Sequence, residues 1–112
     1  MVSAQGRARK ALSVSMHSVI FTQFARLELI EAQEWYEAEV SGLGGRFREG
    51  IDALVDRMGK NPHQFPVVYK NVRRALLQRF PYALFFVING DTILIISCFQ
   101  ASRNPLRWHD RT

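Results

Sequence analysis

The sequence predicts a two-layer α+β domain, a helical hairpin packed on an antiparallel sheet in the order β-α-α-β-β-β. In the first half of the chain, apolar residues recur at helical spacing between glutamates and arginines. In the second half the pattern changes to short runs of Val, Ile, Leu and Phe, which read as strands. Gly59 and Asn61-Pro62 separate the two halves and stop the second helix.

Residues 19–24 (VIFTQF) are β-branched and aromatic and read as the first strand. Residues 25–40 follow with Leu29, Ala32, Tyr36 and Val40 on one helical face and glutamates on the others. The run SGLGG at 41–45 reads as a stop and a tight turn. Phe47, Ile51, Leu54, Val55 and Met58 then form the apolar stripe of a second helix, so the pair makes an antiparallel hairpin. Residues 72–78 read as the second strand, broken by Phe80-Pro81 because proline cannot donate to a ladder. Residues 83–88 and 92–100 are nearly continuous apolar runs joined at Asn89-Gly90, a hairpin signal since both residues tolerate φ > 0. The last three strands form a meander. The first must join the same sheet, because a lone strand is unstable. Asn104-Pro105 opens a short final segment that carries Trp108.

A chain of 112 residues supports one domain with one core, and an apolar content of 47% argues against disorder. The net charge of +5 is unevenly spread. Residues 1–15 hold Arg7, Arg9 and Lys10 and no acid, residues 16–59 are acidic, and residues 60–112 hold eight bases against Asp91 and Asp110. The basic half would attract nucleic acid or an acidic partner.

Several classes drop out. Cys98 is the only cysteine and lies in an apolar run, so it reads as a core residue of a protein in a reducing, cytoplasmic compartment. No apolar run reaches membrane-spanning length, and no secretory signal is visible. His17, His63 and His109 are scattered, so no metal is expected, and no phosphate loop or nucleophile elbow implies a cofactor or a serine nucleophile. Glu31, Glu34 and Glu37 read as the solvated face of the first helix.

The basic sheet carries the functional expectation. Lys70, Arg73, Arg74, Arg79, Arg103, Arg107 and Arg111, with Trp108, are the candidate target-binding residues. Alternation along a strand through residue 79 would put Arg73 and Arg79 on one surface and Arg74 on the other. Guanidinium groups match phosphate or carboxylate bidentately, while Tyr82 and Trp108 can stack on bases or cap the core.

AQEWYE at 32–37, GLGGRF at 42–47, NP at 61–62, VRRALLQRFPYALFF at 72–86 and RNPLRW at 103–108 together resemble the RelE/ParE toxin superfamily over residues 18–111. The resemblance implies a type II toxin neutralised by a cognate antitoxin in a toxin–antitoxin hetero-oligomer. It implies one of two targets: DNA gyrase, poisoned by ParE-like members, or ribosome-bound mRNA, cleaved by RelE-like members. Many relatives end the last strand with a histidine in a pattern like H-x-R-R-x-P. Here Gln100 stands in that place and Ser102 where the first arginine would be. Glutamine cannot move a proton near neutral pH, which slightly favours the ParE-like reading. In a RelE-like enzyme, Arg73, Arg79 and Arg103 would stabilise charge at the scissile phosphate and Tyr82 would act as acid. A third alternative is a non-toxic module that binds an antitoxin or acts as co-repressor.

Met16 stands just before the first strand, so residues 1–15 read as an extension and 16–112 as the domain. Protein synthesised from Met16 should fold and act like the full chain. Insolubility of that shorter protein would refute the boundary.

Overall fold

The computed structural model describes residues 17–101. Strand β1 (Ser18–Phe21) leads into helices α1 (Gln23–Glu39) and α2 (Leu43–Lys60), then a 3-10 turn at Pro62–Gln64. Strands β2 (Val67–Tyr69), β3 (Val72–Leu76), β4 (Tyr82–Asn89) and β5 (Thr92–Gln100) complete the chain. The sheet order is β1-β5-β4-β3-β2. The two-layer α+β architecture is the one expected, with β1 back in the sheet. It has five strands rather than four, and β1 runs parallel to β5.

Each departure from the sequence reading has a local cause. β1 ends at Phe21, because the Thr22 hydroxyl accepts a hydrogen bond from the Ala25 amide at 3.0 Å and starts α1 two residues early. The glycine run does not keep α2 waiting until Phe47. Only Gly42 takes the left-handed conformation, at φ 89°, and the helix begins at Leu43. The Glu37 carboxylate reaches across from α1 and accepts from the amides of Gly42 and Gly44, both at 2.9 Å. It therefore caps α2 from outside the helix, where a negative charge also suits the dipole. A Cβ on Gly44 would stand 2.7 Å from the Gln33 carbonyl oxygen, so glycine there lets the two helices touch.

The missed strand, β2, is three residues long and follows Pro66. It pairs with β3 through an irregular register, and Lys70 turns the chain at φ 50°. β3 stops at Leu76 rather than 78, as the Leu77 amide turns to the Tyr82 carbonyl. β4 runs to Asn89, leaving Gly90 (φ 62°) and Asp91 as the two-residue hairpin loop, one residue later than Asn89-Gly90.

The main core lies between helices and sheet. Ala25, Leu29, Ala32 and Tyr36 of α1 and Phe47, Ile51, Leu54 and Met58 of α2 meet Leu84, Phe86, Ile93 and Ile95. A second cluster on the other sheet face contains Val72, Ala83, Phe85 and Phe99. The two faces change parity in β5, where a bulge shifts the register between Phe85↔Ser97 and Phe86↔Ile95. The bulge returns Cys98 to the helix side, and Glu28 of α1 accepts from Ser97 Oγ at 3.1 Å and from the Cys98 amide at 2.9 Å.

Glu37→Ala should lower stability in urea by about 1 kcal/mol, the typical cost of a lost N-terminal cap. An unchanged midpoint would mean that water replaces the carboxylate without loss.

Candidate functional site

The arginines nominated from sequence separate in the fold. Arg73 pairs with Phe86 and Val67, so its side chain leaves on the helix side of the sheet. Its Nη1 donates to the Phe65 carbonyl at 2.6 Å, a charge-assisted bond that ties β3 to the segment after the 3-10 turn. Arg74 pairs with Phe85 on the other face, and its Nε is buried without a hydrogen-bond partner. Lys70 sits in the β2–β3 turn with its ammonium 5.3 Å from the Tyr69 ring centre, at cation–π distance. Arg79 lies in the bend after β3, where strand alternation no longer applies, so it does not share a strand face with Arg73. Arg103, Arg107, Trp108 and Arg111, together with Ser102 and the Asn104-Pro105 turn, fall outside the described residues, as do residues 1–15.

Two depressions flank the hairpin. The larger is a groove of about 790 Å³ between α2 and the β3–β4 connection. Arg46, Glu49, Gly50, Ala53 and Arg57 form its helical wall. Leu76, Leu77, Phe80 and Pro81 form the opposite wall, with Arg79 at the rim. Neither Arg46 nor Arg57 was nominated from sequence, because both stand in the acidic part of the chain. The available signal was their spacing: residues 46, 50, 53 and 57 recur at i, i+4, i+7 and i+11, one stripe of a helix. Arg57 also lies 5.5 Å over the Phe65 ring centre.

The smaller depression, about 450 Å³, opens between α1 and the ends of β4 and β5. Tyr82 and Gln100 are paired across the strands there, and Glu28, Glu31 and Trp35 close it from α1. Tyr82 is half-buried, its ring 5.3 Å from Phe47 and 5.9 Å from Tyr36. The place held by Gln100 therefore faces carboxylates from α1. A phosphodiester in this cleft would meet like charge, and glutamine supplies no proton near neutral pH.

Cys98 is in the core, as expected. Burial and then the Glu28 carboxylate push its thiol from 9.0 up to about 12. Burial likewise raises the Tyr36 hydroxyl. Glu31 and Glu34 are solvated as expected, whereas Glu37 is committed to the α2 cap. Among the described residues no group of three or more His, Cys, Asp or Glu could hold a metal, and no helix is long and apolar enough to cross a membrane.

No protein-family model and no curated protein matches the sequence. Solved structures do match the fold. A chain of the chromosomal ParDE TA system from P. aeruginosa aligns with a TM-score of 0.66 at 22% identity, covering 77% of this chain and 97% of that one. A chain of the toxin-antitoxin complex RelBE2 from Mycobacterium tuberculosis aligns with a TM-score of 0.55 at 17% identity, covering 76% of this chain and 91% of that one. The helical hairpin on a mostly antiparallel sheet is thus the fold found in both complexes.

The Cys98 thiol generates a pH prediction. Its folded value lies above its unfolded one, so the neutral thiol's contribution is whole below pH 9.0 and falls as pH rises toward about 12. Cys98→Ala should flatten that alkaline decline in urea titrations. An identical alkaline slope in the variant would assign the decline to other groups.

Proposed function

We propose that this chain is the toxin of a type II toxin–antitoxin pair of the RelE/ParE superfamily. In this reading a cognate antitoxin restrains it and it acts in the ParE-like manner on DNA gyrase in the cytoplasm. The observation that carries the toxin reading is the shared fold, which spans 97% and 91% of the matched chains from the ParDE and RelBE2 systems. The motif series from AQEWYE to RNPLRW supports the same superfamily.

The gyrase reading rests on the small cleft. Gln100 offers no acid–base group, and Glu28 and Glu31 oppose a phosphodiester beside Tyr82. Arg73 is also engaged at the Phe65 carbonyl, which removes one of the charges a nuclease would bring to the phosphate. In the gyrase reading Lys70, Arg74, Arg79, Arg103, Arg107, Trp108 and Arg111 are binding residues. The second reading is a ribosome-dependent mRNA endonuclease, favoured by the exposed Arg79 next to Pro81 and Tyr82.

Controlled expression of the full chain in bacteria, read for mRNA integrity and for the SOS response to DNA breaks, separates these. Growth arrest with SOS induction and intact mRNA is the expected result. Rapid mRNA loss without SOS induction would replace it with the endonuclease, and unaffected growth with soluble folded protein would leave the non-toxic module.

A further inference from the structure

We propose that residues 102–112 fold back across the sheet face away from the helices, anchored there by Trp108, with Arg103, Arg107 and Arg111 turned outward. The described elements do not account for the burial of that face. Both helices pack on the opposite side, against Leu84, Phe86, Ile93 and Ile95. Yet Val72 and Phe85 are each 2% exposed, Phe99 is 8% exposed and Ala83 is fully buried. Neighbours in a sheet shield one another sideways, but a phenylalanine standing on an open face keeps much of its ring in water. The Arg74 Nε is likewise withdrawn from solvent on this face without a hydrogen-bond partner. These are the properties of one chain alone, so the cover belongs to the chain itself.

Two segments lie outside the described residues, and the gradient of burial selects between them. Residues before His17 lead into β1, where Ile20 pairs with Leu94 on this face and stays 51% exposed. Residues after Ala101 leave β5 at its other end. There Phe99 is buried and Ala101 packs against the same cluster, its amide held by the Pro81 carbonyl at 2.8 Å. The chain therefore departs on the covered side. The sequence beyond it suits the place. Leu106 and Trp108 have one parity, whereas Arg103, Arg107, His109 and Arg111 have the other. In an extended segment the apolar pair faces the sheet and the basic set faces water. Trp108 follows Ala101 by seven residues, a reach of about 23 Å. β3 lies two strand spacings from β5, roughly 10 Å away. The rings of Phe85 and Phe99, stacked at 5.1 Å, offer an indole a matching surface. The face is then internal, and an anionic target meets the segment's arginines instead of the sheet. This packing stands independently of the toxin reading; only the arginines' role at a target rests on it.

The test uses the purified full-length chain carrying Trp35→Phe. Trp35 is 56% exposed, so the change spares the core and leaves Trp108 as the sole tryptophan. Trp108 emission should be blue-shifted from that of the urea-unfolded chain and several-fold less quenched by acrylamide. Its indole protons should give nuclear Overhauser contacts to the methyls of Val72 and Val87. In the chain with Trp35 intact, Trp108→Ala should raise binding of an apolar dye and lower the urea midpoint, and Trp108→Phe should restore most of both. Emission quenched as in the unfolded chain, indole contacts to Leu29 or Ile51 on the helix side, or unchanged dye binding in Trp108→Ala would each overturn the proposal. Absence of growth arrest in cells would remove the toxin reading and leave this result standing; a solvent-exposed Trp108 would remove the fold-back and leave the toxin reading.

Discussion

Tyr36, Phe47, Phe80 and Tyr82 come from α1, α2, the β3–β4 connection and β4, and their rings meet at one place. Tyr36 lies 5.2 Å from Phe47, 4.9 Å from Phe80 and 5.9 Å from Tyr82. Phe47 lies 5.3 Å from both Phe80 and Tyr82. Such pairs contribute about 1 kcal/mol each beyond area burial, and here they join every layer of the molecule. The cluster also borders both depressions: Tyr36 and Phe80 line the groove and Tyr82 lines the cleft.

Two carboxylates of α1 then set details that the aromatic cluster leaves open. Glu37 caps α2 and Glu28 holds the bulge of β5. Both give their charge to backbone amides, which explains why the acidic helix is not simply a solvated face. Without the bulge, alternation from Ile93 and Ile95 would place Cys98 on the far side of the sheet. With it, the thiol is enclosed beside α1 and kept neutral.

The distribution of charge in space differs from its distribution along the chain. The groove draws Arg46 and Arg57 from a stretch whose sum is acidic and joins them to Arg79. The cleft beside Tyr82 gathers Glu28 and Glu31 in a region that sequence marked as basic. A positive, partly apolar groove and a negative cleft on one small domain are suited to different ligands.

The two helices, the three long strands and the core stripes were legible in the sequence because they follow from periods of 3.6 and 2, which are properties of consecutive residues; Val40 is the exception, since it ends the first helix in an extended conformation and stays 57% exposed. Cys98 was legible as core for the same reason. β2 was not, since three residues after a proline carry too little pattern; β3 supplies its hydrogen bonds. The start of α2 was hidden by its glycines, because the group that caps it sits on another helix. Arg73 was read as a surface charge, yet the Phe65 carbonyl claims it across a β-hairpin. Arg46 and Arg57 showed their shared stripe but not their partner wall. The sequence by itself determined the elements and which face of each is apolar. Only packing decided which charges converge, because convergence depends on contacts between residues far apart in the chain.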